Sequence, residues 1–122
     1  LMIDTPLDGI VAVSGTHHRD GLTTSRQALA QVGGGRLGGA PLKQRAVEVV
    51  RRIHERSHGT YPIIGVGGLM TPEDVREMLQ AGASLVQLYT GFVYEGPRLV
   101  RDICRSLAAP VPAAEKSGEG AE

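Results

Sequence analysis

The stretch Pro62-Ile-Ile-Gly-Val-Gly-Gly68, with Thr71-Pro-Glu-Asp74 soon after it, predicts the fold of the chain. A short apolar run such as residues 62–66 is typical of a strand that is buried on both faces of a parallel sheet. Thr71 can cap a helix, Pro72 suits the first helical position, and the acidic residues favour the positive end of a helix dipole. The stretch therefore predicts a strand, a glycine turn and a helix, the repeating unit of an α/β protein.

The same unit recurs on both sides of this stretch. Upstream, apolar residues predict a strand over 9–13 and an amphipathic helix over 42–57. Downstream, the pattern predicts a helix over 72–81, a third strand over 84–88 and a last helix over 96–108. Such alternation is typical of parallel strands with right-handed crossovers, so we expect the three strands to be adjacent in chain order. Three strands leave two open edges, which predicts part of a larger closed barrel.

Composition limits the classes of function. The chain has 122 residues, of which 13 are basic and 13 acidic, so its formal net charge is zero. Binding to a phosphate backbone requires clustered Lys and Arg, so we expect no nucleic-acid partner. No apolar run is long enough to cross a bilayer. The single cysteine, Cys104, cannot form an internal disulfide, and its helical position predicts a small buried core residue.

Two segments lack the alternating pattern. Residues 14–40 are polar and rich in glycine. A long irregular segment inside a compact domain more often has a function than serves only as a connection. His17 and His18 lie there, but adjacent residues rarely converge on one ion, so we expect solvated histidines and no metal site. Residues 110–122 show no apolar periodicity and are predicted to be a disordered tail, which leaves residues 1–109 as the folded part.

The carboxyl ends of the strands carry the candidate site, because ligands of parallel α/β folds bind beyond these ends. The chain has Ser14-Gly-Thr16, Gly67-Gly68 and Tyr89-Thr-Gly91 there. Glycine lets backbone N–H groups approach an anion closely, and a following helix adds a favourable dipole. If the second and third strands are the last two of a barrel, their loops form a phosphate site. The residues alone leave flavin, sugar phosphate and nucleotide open as ligands.

Four segments carry a resemblance to a known family. They are Asp8-Gly-Ile-Val-Ala12, Gly39-Ala-Pro-Leu42, Tyr61-Pro-Ile-Ile-Gly-Val-Gly-Gly68 and Ala81-Gly-Ala-Ser-Leu-Val-Gln-Leu-Tyr-Thr-Gly-Phe-Val-Tyr-Glu-Gly-Pro97. In order and spacing they resemble the C-terminal third of class 2, quinone-dependent dihydroorotate dehydrogenase. The resemblance implies that residues 1–109 form the C-terminal part, the last three βα units, of an FMN-binding (β/α)8 TIM barrel.

The resemblance also implies a function and its partners. The family oxidises dihydroorotate to orotate in pyrimidine (UMP) biosynthesis, and class 2 members pass the electrons from FMN to a membrane quinone. By resemblance, this chain would contribute the FMN-phosphate site and no catalytic residue, and would be inactive alone. The family's catalytic serine, its flavin-contacting lysine and the N-terminal helices that contact the membrane would lie upstream of residue 1. The intact protein would be cytoplasmic and peripheral to the inner face of the cell membrane.

The resemblance assigns ten residues to the site. The implied FMN-binding residues are Val13, Gly38, Gly39, Gly67, Gly68, Tyr89, Thr90 and Gly91, and the implied substrate-binding residues are Ser14 and Gly15. Gly39, Gly67 and Gly68 would approach the FMN through backbone groups, and Tyr89 and Thr90 would hold its phosphate end. We expect a side chain at Gly68 to occupy the space that the phosphate needs.

The chain departs from the family pattern at this site. The family reads Thr-Asn-Thr-Thr where this chain reads Val13-Ser-Gly-Thr16, so Ser14 and Gly15 stand where an Asn and a Thr contact the substrate. The family reads Gly-Gly-Leu-Ser-Gly-Ala-Pro-Leu where this chain reads Gly35-Arg-Leu-Gly-Gly-Ala-Pro-Leu42, so a serine near the flavin becomes Gly38. Two alternatives therefore stay open, a non-catalytic remnant and another phosphate-binding TIM-barrel enzyme.

Overall fold

A parallel sheet of three strands forms the centre of the fold. The computed structural model describes residues 6–109, and its strands are β1 (Ile10–Ala12), β2 (Ile63–Val66) and β3 (Leu85–Gln87). Ile10 pairs with Ile63, and Ile64 with Leu85, both in parallel. The predicted strands, their order and their direction are confirmed, although each strand is slightly shorter than predicted. The tail predicted over 110–122 lies outside the described residues.

Among residues 6–109 the structure has five α-helices. They are α1 (Arg26–Val32), α2 (Lys43–Arg56), α3 (Pro72–Gln80), α4 (Thr90–Glu95) and α5 (Pro97–Ala108), and a 3-10 turn (Ala40–Leu42) precedes α2. The helices predicted over 42–57, 72–81 and 96–108 are confirmed as α2, α3 and α5. Helices α1 and α4 were not predicted. Helix α1 buries no residue, and its 7 residues are too few to show a repeated apolar spacing.

The core lies between the sheet and helices α2 and α3. Ile63 of β2, Val50 of α2, and Val75 and Met78 of α3 are fully buried there. Gly65 of β2 leaves space for the Met78 side chain, since a Cβ at position 65 would lie 2.8 Å from the Met78 sulfur. The strands therefore occupy fixed positions, and their carboxyl ends lie side by side.

Helix α5 packs against α3 and α4, and it buries only part of its apolar surface. Leu99 and Ile103 are buried, whereas Val100, Cys104 and Leu107 are exposed. The prediction that Cys104 is a buried core residue is therefore wrong. Val100 and Cys104 each follow a buried residue by one position, so they lie at the margin of the buried face and not at its centre.

Both edges of the sheet are open within the described residues, because β1 and β3 each pair with β2 alone. Val11 on one edge is 58% exposed and Leu85 on the other is 63% exposed. Unpaired strand edges with apolar side chains promote association between chains. We expect the isolated chain to aggregate or to behave as a molten globule when examined by size-exclusion chromatography with light scattering.

A lysine introduced at the edge of the sheet tests this expectation, and a lysine introduced on α1 serves as its matched control. Leu85→Lys should reduce this association, because an edge lysine opposes strand pairing. Val32→Lys adds the same charge to an exposed residue of α1, away from the sheet, and should leave association unchanged. An isolated parent chain that is monodisperse and unfolds cooperatively would contradict the expectation.

Candidate cofactor and substrate site

A cleft of about 550 Å³ lies at the carboxyl ends of the three strands, a volume in the usual range for small-molecule sites. The sequence-predicted residues that line it are Val13, Ser14, Gly15, Gly38, Gly39, Gly67, Gly68, Tyr89, Thr90 and Gly91, which is the whole predicted set. The other lining residues are Val11, Leu42, Val66, Leu69, Gln87 and Leu88. The cleft therefore combines apolar walls with glycine-rich loops. Gln87 was missed because it is the last residue of β3, and sequence reasoning assigned the site only to the loops beyond the strand ends.

One wall is formed where the segment 14–40 folds back on the end of β1. Thr16 and Leu37 form an antiparallel bridge, with N–O distances of 3.0 and 2.7 Å. Gly15 makes this approach possible, because a Cβ there would lie 2.9 Å from the Leu37 carbonyl oxygen. Arg19 stabilises the same segment by donating to the Gly35 carbonyl at 3.0 Å. The segment that lacked periodicity thus has a defined place beside the cleft.

A second wall joins the Gly38-Gly39 segment to the start of α4. A Cβ at Gly38 would lie 3.2 Å from the Thr90 hydroxyl oxygen, and one at Gly39 would lie 3.0 Å from the Thr90 methyl carbon. Gly91 is buried against the Leu69 carbonyl. Tyr89, by contrast, is 80% exposed. Thr90 and the two glycines are therefore in close contact, while the Tyr89 ring is not held by the rest of the fold.

The Gly67-Gly68 loop packs against the start of α2. Gly68 is buried with φ of 73°, a conformation that favours glycine, and a Cβ there would overlap the backbone of Lys43. A Cβ at Gly67 would lie 3.0 Å from a Leu42 methyl carbon. The expectation that a side chain at Gly68 would fill the phosphate space is wrong, because that side chain would point into α2.

An ion-pair cluster fixes the same loop from its other end. The Lys43 ammonium lies 3.0 Å from carboxylates of both Asp74 and Glu77, which joins α2 to α3. Asp74 also accepts hydrogen bonds from the backbone N–H groups of Met70 and Thr71, and Thr71 accepts one from the Asp74 N–H, so the predicted cap is a reciprocal capping box. The residues that follow Gly68 are therefore held rigidly.

The environment of this cluster shifts two pKa values. Burial alone would raise the pKa of the Asp74 carboxyl, but the hydrogen bonds from Lys43, Met70 and Thr71 lower it below its usual value. The hydrogen bonds to Asp74 and Glu77 raise the pKa of the Lys43 ammonium. Both groups are therefore charged over the physiological pH range, and the cluster keeps its ion pairs there.

The cleft offers binding groups rather than an acid–base catalyst. None of its lining residues is Asp, Glu, His, Lys, Arg or Cys. Its hydroxyl groups belong to Ser14, Thr90 and the exposed Tyr89. Such a cleft can bind and orient a small ligand through apolar contacts and hydrogen bonds, while proton transfer requires side chains from elsewhere.

One charged residue beside the cleft, Arg36, was missed by sequence reasoning. Arg36 donates from Nη1 to the Ser14 hydroxyl at 3.4 Å. A signal for it existed, because Arg36 stands where the family pattern has a glycine. His17 and His18 are exposed, and within the described part of the chain no three His, Cys, Asp or Glu side chains are grouped to hold a metal ion. None of the helices over 6–109 is long and apolar enough to span a membrane.

Comparisons with known proteins agree with this architecture. The family model for dihydroorotate dehydrogenase matches residues 1–111. The chain belongs to the dihydroorotate dehydrogenase family. It is 54% identical over 109 residues to a dihydroorotate dehydrogenase (quinone) of Thermosynechococcus vestitus, covering 84% of this chain and 29% of that protein. It is 48% identical over 109 residues to one of Kineococcus radiotolerans, covering 89% of this chain and 30% of that protein.

Solved structures place the fold in the same family of oxidoreductases. Ligand-free DHODH from Eimeria tenella matches with a TM-score of 0.74 and 32% identity, over 83% of this chain and 27% of that one. DHODH from Eimeria tenella in complex with ferulenol matches with a TM-score of 0.77 and 31% identity, over 86% of this chain and 27% of that one. The parallel sheet is therefore part of an α/β barrel, and the chain spans about 30% of the length of the curated relatives it matches.

The glycine loop yields a stability prediction, tested in a completed barrel in which this chain replaces the matching segment of the Thermosynechococcus vestitus relative. Gly68→Ala should lower the free energy of unfolding by about 2–4 kcal/mol, because the new Cβ overlaps the Lys43 backbone at a positive φ. Gly34→Ala should change it by less than about 0.5 kcal/mol, since nothing lies within 4 Å of a Cβ there. Urea unfolding measures both, and equal stabilities would refute the assigned packing.

The ion-pair cluster yields a pH prediction. Because the pKa of Asp74 is lowered by folding, the unfolded chain binds more protons near pH 4, and stability rises with pH in that range. The contribution of Asp74 should be present above about pH 4 and lost as the pH falls below it. Asp74→Asn should flatten this part of the profile, as measured by urea unfolding of the completed barrel between about pH 6 and about pH 3.

Glu73 provides the control for this experiment. Glu73→Gln removes a carboxylate from the same helical turn, at an exposed position outside the Lys43 cluster. It therefore controls for the loss of one negative charge. A pH profile of Asp74→Asn that is as steep as that of the parent would show that the Lys43–Asp74 pair does not couple stability to pH.

Proposed function

We propose that residues 1–109 provide the FMN-phosphate end of a quinone-dependent dihydroorotate dehydrogenase whose barrel is completed by other strands. The observation that carries the proposal is the convergence of Gly38-Gly39, Gly67-Gly68 and Thr90-Gly91 on one cleft. Family membership supports it, since the relatives are dihydroorotate dehydrogenases (quinone). The substrate pair would be dihydroorotate and orotate, in pyrimidine biosynthesis.

The residues present fit FMN. Apolar side chains of Val13, Leu42, Val66 and Leu88 would lie along the flavin ring, and the glycine segments leave room for backbone groups to approach a phosphate. FMN, when bound, would accept a hydride from the substrate and pass the electrons to a quinone.

The residues of this chain would then bind and orient rather than transfer protons. Thr90 would donate its hydroxyl to the phosphate, and the Gly67-Gly68 loop, fixed by α2 and the capping box, would hold the floor of the cleft. Ser14 and Gly15 would lie at the substrate end. The catalytic base, the quinone channel and any contact with the membrane would come from other parts of the barrel, in a protein at the cytoplasmic face of the membrane. No nucleic-acid partner is proposed.

One observation favours a second candidate function. Ser14 and Gly15 carry fewer hydrogen-bonding groups than the Asn and Thr of the family pattern, so a remnant that binds a phosphate without oxidising dihydroorotate would show the same cleft. Family membership does not favour the third possibility, an unrelated phosphate-binding barrel enzyme.

The completed barrel tests the proposal directly. It should take up one FMN per chain, seen in its absorbance spectrum, and should reduce a quinone in a dihydroorotate-dependent reaction. Thr90→Val should weaken FMN binding by about 1.5–3 kcal/mol, because it removes one hydrogen bond to a charged group. Thr60→Val, at an exposed position away from the cleft, should not weaken it. Full FMN affinity in Thr90→Val would remove Thr90 from the phosphate site, and FMN uptake without turnover would support the remnant.

A further inference from the structure

Gln87 places a carboxamide on the face of the sheet that carries the cleft. It is the last residue of β3, and its neighbours along the chain, Val86 and Leu88, pack against the core. Successive residues of a strand lie on opposite faces, so Gln87 lies on the other face, where it is exposed and lines the cleft. Its position is therefore set by the strand and not by a loop.

The residues beside Gln87 in the sheet are apolar. Val66 pairs with Gln87 across β2 and β3. On the other side of β2, Val13 donates its backbone N–H to the Val66 carbonyl oxygen at 2.9 Å. All three residues line the cleft, so the end of the sheet presents two valines and one carboxamide to a ligand.

The carboxamide of Gln87 is available to a ligand. Within residues 6–109 it has no hydrogen-bond partner. The other polar side chains of the lining, Ser14, Tyr89 and Thr90, carry hydroxyl groups, so Gln87 contributes the side-chain amide of the cleft. A ligand that covers this amide excludes water from it. Such a ligand must offer hydrogen-bonding groups in return, because burial of an unsatisfied amide is unfavourable.

We propose that Gln87 is a flavin-binding residue whose carboxamide hydrogen-bonds FMN beyond its phosphate, at a ribityl hydroxyl or at a heteroatom of the ring. The inference rests on the proposed function and deepens it. The three residue steps from Gln87 to Thr90 span at most about 11 Å, so an FMN with its phosphate at Thr90 is long enough to reach Gln87. A carboxamide both donates and accepts hydrogen bonds, and so do a ribityl hydroxyl and the pyrimidine part of the flavin.

The completed barrel, freed of flavin, allows the test. FMN and riboflavin are titrated, with quenching of flavin fluorescence as the signal. Gln87→Met keeps the length of the side chain and removes its hydrogen bonds, so it should weaken the binding of both flavins by the same factor, about 3- to 30-fold. Thr90→Val should weaken the binding of FMN alone, since riboflavin has no phosphate.

Lumiflavin identifies the group that Gln87 contacts, because it keeps the flavin ring and lacks the ribityl chain. A loss of affinity in Gln87→Met that persists with lumiflavin assigns the hydrogen bond to the ring. A loss that is seen with riboflavin and disappears with lumiflavin assigns it to the ribityl chain. Both results support the proposal.

Gln80 provides the matched control. It is the exposed last residue of α3, and it does not line the cleft. Gln80→Met makes the same chemical change and should alter the affinity for each flavin by less than about 2-fold. Urea unfolding of the flavin-free barrels measures any effect of either substitution on the fold itself.

Three results overturn the inference and leave the phosphate site intact. They are unchanged flavin affinity in Gln87→Met, a loss that Gln80→Met matches, and a loss for FMN that riboflavin does not share. A Gln87→Met barrel that no longer folds without flavin also overturns it, because the carboxamide would then serve the barrel and not the ligand. A parent barrel that binds no flavin defeats the proposed function and this inference together.

Discussion

The close approach of Gly68 to the backbone of Lys43 is the constraint on which the rest of this structure depends. No side-chain atom fits between the loop after β2 and the start of α2. Once that backbone is fixed, the Lys43 side chain reaches Asp74 and Glu77 and joins α2 to α3. The strand, its loop and two helices are therefore held together at the carboxyl end of the sheet. The floor of the cleft owes its shape to this contact before any ligand binds.

The contact between Gly68 and Lys43 also changes the interpretation of the Gly67-Gly68 pair. A Gly-Gly pair after a parallel strand can serve a tight turn or the close approach of a phosphate. Here Gly68 serves the packing of α2, so this glycine would be required even in a protein that bound no phosphate. Gly38 and Gly39 likewise pack closely against Thr90, so the proposal of a phosphate site rests on the convergence of the three glycine-containing segments on one cleft.

Much of the fold could be predicted from the sequence, and the failures have physical causes. The strands were predictable because each is a short, largely apolar run, and α2, α3 and α5 because each buries an apolar face or has a cap that marks its start. Helix α1 is capped by Ser25, but its 7 residues are too few for a repeated apolar spacing to mark it. The burial of Cys104 was predicted wrongly, because periodicity gives the direction of a face and not how much of it is covered. At the site, strand ends predicted which residues share the cleft, but the direction of a Cβ at Gly68 and the contact of Arg36 with Ser14 depend on tertiary packing.

The residues that follow β1 are physically coupled to the segment that folds back on them. In this chain, the loss of a side chain at Gly15 admits the bridge between Thr16 and Leu37, and the bridge sets Arg36 against Ser14. The fully buried core residues and the tight glycine loop are intact around this group. Ser14, Gly15 and Arg36 therefore form one local arrangement at the rim of the cleft, and contacts among this chain's own residues maintain its shape.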